Sequence, residues 1–259
     1  MRAEIATQCR AGIAIACTPS PEAAFEVGVS RFGGRPDLTD GVAWPVATCR
    51  QDGTASQTGD EVVTQMPLAF VAQIALDELP PMSDLPGKGL LSFFLLDALR
   101  YYSQVGYTHV DDAELARVLY TPPETRLARR EWPPALPASR RGDTSRPVFT
   151  SVTTWPQIES NVVRAAGEPA DDRLLLDAVA WQAWAEDAPE NPRLQMLGHP
   201  CGCEYPIGGE RENRLLLSID AQSCGLPWDL CGRNGFVFFR ITETALRARR
   251  WDEVRHKEW

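Results

Sequence analysis

The sequence holds little that looks like chemistry. It has three histidines, His109, His199 and His256. No GxxxxGK[ST] phosphate loop, no HExxH zinc helix and no GxSxG nucleophile turn occurs. "RFGGRP" (Arg31 to Pro36) is glycine-rich but lacks the strand-to-helix setting that a phosphate loop needs. These absences remove the best-defined signatures of phosphoryl transfer, metallohydrolysis and serine hydrolysis. No apolar run approaches the roughly 18 residues of a membrane span. The apolar core Ala11 to Cys17 is short for a signal peptide, and alternation at Ile13 and Ile15 fits a first strand. Positive charge is also scarce: 26 Lys and Arg stand against 35 Asp and Glu, a net charge of −9. Such a field repels nucleic acid and anionic lipid and favours basic partners.

Seven cysteines, an odd number without regular spacing, read as reduced thiols rather than a disulfide framework, and so point to the cytoplasm. A chain of 259 residues buries about three-quarters of its unfolded surface without any staple. Residues 1–259 are taken as a single domain. Eight tryptophans and 21 prolines favour a loop-rich fold with aromatic anchors over a helical bundle.

Strand signals recur along the chain. Ile13 to Cys17 and Phe25 to Val29 are short and alternating or β-branched, separated by the turn cluster "TPSPEA". "SRFGGRPDLTDGVAWP" (Ser30 to Pro45) predicts an ordered loop, its paired glycines opening backbone conformations closed to other residues. Cys49 to Glu61 is polar and reads as a mobile excursion. Leu68 to Ala75 and Gly89 to Leu96 are nearly continuous apolar runs, as in strands covered on both faces. Arg117 to Pro122, Val148 to Thr153, Arg214 to Asp220 and Gly235 to Ile241 are further strands, and "DEVRHKEW" suits a charged edge strand. Asp171 to Asp187 predicts a helix with Leu174, Ala178, Trp181 and Trp184 on one core face. "TETALRARR" predicts a short helix with Thr242 as N-cap. Residues 121–147, with six prolines and six arginines against three acids, form an internal crossover, either a solvated linker or an anion- or partner-binding arm.

Two segments share one plan: Phe70 to Ile74, a Leu-Pro turn region and Leu90 to Phe94; then Leu215 to Ile219, a Leu-Pro turn region and Phe236 to Phe239. Ile74 and Ile219 lie 145 residues apart, Gly89 and Gly235 146. Gly34-Arg35-Pro36 and Gly198-His199-Pro200 precede them. This predicts an α+β fold: a mostly antiparallel or mixed sheet built from two related β units by internal duplication, with a few helices.

"SRFGGRPDLTDGVAWP", "LAFVAQIAL", "GLLSFF", "LQMLGHP", "LLLSID" and "GRNGFVFFRITETALRARRWDEV" together resemble the ordered motifs of the YwqG-like bacterial family of unknown function, from about Phe25 to the C-terminus. The resemblance implies a compact α+β protein with extensive sheet and supplies no catalytic residues. Members of that family tend to lie beside secreted toxin genes, which implies an immunity-type binding role. The family-like positions are Gly33, Gly34, Pro36, Trp44, Pro45, Gln73, Gln195, Gly198, Pro200, Asp220, Gly235 and Phe239. Cys231-Gly-Arg-Asn-Gly235 departs from the family's Trp-Gly-Asp-Ala-Gly-like turn, so a function of that acidic group is in doubt here.

Gln73 and Asp220 are polar groups in or ending apolar strands. They must be hydrogen-bonded, either as structural ties or as the polar end of a ligand cleft. With Arg35 and His199 they form the ligand-cleft candidates. The metal candidates are His199, Cys201, Cys203, Cys224 and Cys231. These suit zinc if their loops converge, although the spacing of Cys201 to Cys203 is not that of paired zinc ligands. Otherwise no cofactor is expected. A thiol nucleophile needs an activating base, and His199 beside Cys201 forms no known elbow. Asp111-Asp112 and Asp171-Asp172 lie at expected helix starts, where capping accounts for them. The chain is therefore expected to be a non-enzymatic cytoplasmic module binding a basic protein such as a toxin, without generic nucleic-acid or membrane binding. The alternative is a small-molecule binder or unrecognised enzyme with a cleft between the two β units.

Overall fold

Apolar alternation becomes strand almost everywhere it occurs, and ten strands join one antiparallel sheet. The computed structural model describes residues 9–51, 60, 62–96, 108–155, 191–201, 213–231 and 235–258. Its strands are β1 (Arg10–Pro19), β2 (Arg31–Phe32), β3 (Asp37–Leu38), β4 (Val46–Gln51), β5 (Val62–Pro67), β6 (Ala69–Ala75), β7 (Leu90–Leu95), β8 (Thr108–His109), β9 (Ala116–Thr121), β10 (Ala128–Arg129), β11 (Ser145–Thr154), β12 (Gln195–Leu197), β13 (Asn213–Asp220), β14 (Phe236–Thr242) and β15 (Arg255–Glu258). The α-helices among the described residues are α1 (Ala221–Cys224) and α2 (Glu243–Arg247). None is long and apolar enough to cross a membrane.

The main sheet runs β15-β14-β13-β12-β1-β11-β2-β6-β7-β9, and it curls into a nearly closed barrel. Phe93 of β7 and Phe239 of β14 lie far apart in that order, yet their rings meet edge to face at 5.2 Å. They fill an interior shared with Ile13, Ile15, Phe32, Val71, Ile74, Leu217 and Ile219. At the seam, Tyr120 of β9 stands 6.2 Å from Trp251, in the turn before β15. Side chains alternate across each strand, so Phe94 points outward where Phe93 points inward. Outside the barrel Phe94 packs on Phe70 and Trp44 beneath the small sheet β5-β4-β8, with Ala47, Cys49 and Leu68. β6 and β7 are buried throughout, as their continuous apolar runs predict.

The α+β expectation is overturned. Strand dominates, and the two α-helices just named are four and five residues long. The hairpins β6–β7 and β13–β14 are not the cores of two β units. They are parts of one sheet, separated by β12, β1, β11 and β2, and share one interior. The physical reason is closure: short strands with no pattern of their own, β2 and β12, stitch the hairpins to the long central pair β1–β11.

Local differences have local causes. Phe25 to Val29 is no strand: Gly28 at φ +91° turns the chain, and the buried Phe25 ring lies under the Arg146 guanidinium at 4.6 Å. Cys49 to Gln51 continues β4 rather than starting an excursion. Thr242 does cap α2, its Oγ1 accepting from Ala245 N–H at 3.1 Å. The expected helix at 171–187 lies outside the described residues.

Candidate functional site

The loop after β2 is where two of the sequence-derived candidates meet. Ser30 anchors it: its N–H donates to Glu78 Oε1 at 3.2 Å, and its Oγ accepts from Ala75 N–H at 2.8 Å. Gly33 and Gly34 follow at φ +65° and +70°. A Cβ on Gly33 would stand 2.0 Å from Asp143 O, so backbone approaches backbone too closely for any side chain. The turn brings Asp37 back beside Arg31, and both are fully buried.

Asp37 is saturated. Its Oδ2 accepts from Gly28 N–H (2.8 Å), Arg31 Nη1 (2.8 Å) and Gln73 Nε2 (2.9 Å), and its Oδ1 from Arg129 Nε (3.1 Å). Gln73 uses both ends of its amide, accepting from Asp37 N–H at 2.9 Å and donating to Val29 O at 2.8 Å. Arg31 reaches on to Arg35 O. Burial pushes the Asp37 carboxyl up, but the hydrogen bond and charge of Arg31 outweigh it, helped by Gly28 N–H and Arg129. The result is a carboxyl held down at about 2. Arg129 also donates to the carbonyls of Glu22, Phe25 and Glu26, tying the crossover to the N-terminal turn.

Arg35 lies at the outer end of this network. Its N–H and guanidinium hold Glu22 at 2.7 to 3.0 Å, and a second contact reaches Glu131. Burial pushes the Glu22 carboxyl up, but the hydrogen bonds and charge of Arg35 hold it below its ordinary value. The Trp132 ring carries two guanidiniums, Arg35 at 5.5 Å and Arg141 at 5.2 Å. The arginines and their matched acids tie the loop to the N-terminal turn and to the crossover.

The other candidates sit in other networks. His199 is buried; its N–H donates to Thr154 Oγ1 at 2.8 Å and its carbonyl accepts from Gln195 Nε2 at 2.6 Å. Asp220 caps α1, accepting from Gln222 N–H at 3.1 Å and Ser223 Oγ at 2.8 Å. Gln73 and Arg35 are thus joined through Asp37 and Arg31, while His199 and Asp220 serve the second half of the sheet.

Cys224 and Cys231 are fully buried in the barrel core, with Cys17 packed against the same cluster. Burial pushes the Cys224 thiol well above its ordinary value, and Cys231 and Cys17 push it further; Cys224 Sγ contacts Asp220 O at 3.2 Å. A protonated thiol in an apolar core behaves as a small hydrophobe. Cys201 is buried, and Cys203 lies outside the described residues. Among the described residues no three His, Cys, Asp or Glu side chains come together as a metal-binding group.

Sequence reading missed Arg31, Asp37 and Arg129. A local signal existed for the first two: opposite charges two and three residues either side of the Gly33-Gly34 turn. None existed for Arg129, which meets Asp37 across 92 residues. It also missed the β4–β5 hairpin. Val46, Val62 and Val63 of that hairpin are 45%, 43% and 51% exposed, three of the five large hydrophobic residues that stand out in solvent among the described residues.

No curated protein matches the chain. The family model for a domain of unknown function, DUF1963, matches residues 30–257, from the start of the Arg31–Asp37 loop to β15. The match takes in every strand of the barrel except β1, together with the Arg31–Asp37 loop, and covers most of the sequence, so the chain belongs to the DUF1963 family.

Proposed function

We propose that this chain is a non-enzymatic protein-binding module whose partner is a basic protein, with the immunity-type role that its resemblance to the YwqG-like bacterial family implies. The observation that carries the reading is the concentration of exposed valines on the β4–β5 hairpin. Apolar side chains left exposed at several positions of one hairpin suit an interaction surface. The sign of the partner follows from the net charge of −9. Supporting it, the residues that offered chemistry are engaged elsewhere: Gln73, Arg35 and Asp220 in hydrogen bonds and ion pairs, Cys224 in the core.

The test is affinity purification of the tagged chain from its own host, at low and at high salt. A stoichiometric basic protein that dissociates as salt rises is the expected result. A chain that emerges alone, or with an acidic partner, refutes the reading. If the basic partner is a toxin, co-expression restores growth of cells producing it.

A further inference from the structure

The small sheet has one open side. β4 pairs with β5 on one flank and β8 on the other, and β5 pairs with nothing further among the described residues. Register fixes which backbone groups face outward. Leu68 N–H donates to Pro45 O at 3.0 Å, so the ladder bonds of this antiparallel pair fall at Ala47↔Met66, Cys49↔Thr64 and Gln51↔Val62. Thr48, between them, turns its N–H away from β5 to the Glu114 carboxylate. By the same alternation Val63 and Gln65 turn N–H and C=O away from β4, and Pro67 turns its C=O.

Such an edge is ordinarily blunted by lysine, a bulge or an inward charge. β5, "VVTQMP", carries no charge, and its first four residues are exposed. The chain has only two lysines, Lys88 and Lys257, neither in the hairpin. The one blunting device is Pro67, which removes a single N–H at the end of the strand.

Resting on the binding role above, we propose that β5 is the docking edge: an extended segment of the basic partner adds to it as a further strand. The partner's main chain bonds Val63 and Gln65, and its alternate side chains lie beside Val63 on the outward face of β5. Strand addition takes affinity from the main chain and specificity from alternate side chains. The occupant is basic because of local sequence. Between Arg50 and Ala69, the first residue of β6, there is no lysine or arginine, but three acids: Asp52, Asp60 and Glu61. Asp60, two residues before β5, is exposed. Arg50, the one cation on the paired strands, is already engaged in an interaction of its own.

The probe is a fluorescent heptapeptide of alternating lysine and valine, titrated against the full chain at low salt. Two relatives of it accompany the titration: one N-methylated on every second backbone amide, one with glutamate in place of lysine. On the protein, Val63→Pro removes an outward N–H and no β4 bond, as Pro67 does naturally, and Val63→Lys keeps every bond. Val148→Lys makes the same charge change at a valine 59% exposed on β11. Saturable binding of the basic peptide is expected. It weakens at least tenfold with either Val63 variant, with N-methylation and with glutamate, and stays within twofold in V148K. Equal binding of the N-methylated peptide overturns the docking edge and leaves the basic partner standing. A chain that is dimeric by sedimentation and becomes monomeric as V63P assigns the edge to a second copy and overturns it too. No binding by any peptide also overturns the edge, while the co-purification decides the binding role separately.

Discussion

Replacing Asp37 by Asn would test whether the buried ionic loop holds the barrel together. The shape is kept and the charge is lost. The three donors on Oδ2, Gly28, Arg31 and Gln73, keep the amide oxygen there, which turns the Asn amide nitrogen onto Arg129 Nε, donor against donor. Arg31 cannot recover in water, because it is fully buried and its Nε has no partner among the described residues. Arg129, at 17% exposure, recovers in part. Removing one partner of a buried pair costs about 3–5 kcal/mol. At roughly 2–4 °C per kcal/mol for a chain of this size, the melting temperature falls by about 6–20 °C. The assay is thermal and urea unfolding at pH 7, with Arg129→Met and the double variant alongside. A smaller loss is expected from R129M, and the double variant is less destabilised than the sum of the two. A loss below about 1 kcal/mol in D37N would falsify the account of the loop as a lock. The pH dependence carries its own sign. The folded carboxyl sits at about 2, below its ordinary 3.8, so its stabilisation is present above pH 3.8 and disappears as pH falls to about 2. The D37N variant lacks that acid limb.

Other outcomes follow from the same geometry. Gly33→Ala puts a Cβ 2.0 Å from Asp143 O at φ +65°; the left-handed backbone alone costs about 1–3 kcal/mol, so soluble yield and melting temperature both drop, and an unchanged melt would refute the close approach. Thr242→Ala removes the cap of α2 and costs about 1 kcal/mol by urea unfolding, with T242S restoring most of it. Thiol labelling at pH 8 is slow at Cys17, whose thiol burial pushes up to about 12, and at Cys224, whereas all seven thiols react in denaturant; prompt native labelling of Cys224 by mass spectrometry would contradict its place in the core. Burial lowers the His256 imidazole to about 4, with Asp112 opposing, so the stability tied to the neutral ring is present above pH 6.5 and lost towards pH 4; His256→Asn flattens that part of the unfolding profile.

Strands whose side chains face two apolar layers, β6, β7, β13 and β14, are legible because burial on both faces leaves a continuous apolar run. β1 shows by its alternating isoleucines, and the cap of α2 by a single threonine before a helical run. β2 and β12 are illegible, since two or three residues carry no period and owe their pairing to partners far along the chain. The polar "VATCRQ" and "VVTQMP" hide a hairpin, because one face of it covers the barrel only through Ala47, Cys49 and Met66. Gln73 was legible as a polar residue in an apolar strand that needed partners, and it has them. The partners themselves depend on a loop whose closure needs Gly33 against Asp143 and Arg129 against Asp37, contacts that no local spacing encodes.

The position of β1 has a consequence for synthesis. β1 occupies the middle of the sheet, between β12 and β11. It leaves the ribosome well before its long partner β11, which begins at Ser145. At translation rates of about 5–20 residues per second, the apolar strand around Ile13 and Ile15 waits roughly 6–25 s for that partner. During that interval its edges are open to other chains. A nascent chain of this protein should therefore lean on ribosome-associated chaperones until residue 154 has emerged, after which the centre of the barrel can zip from both sides.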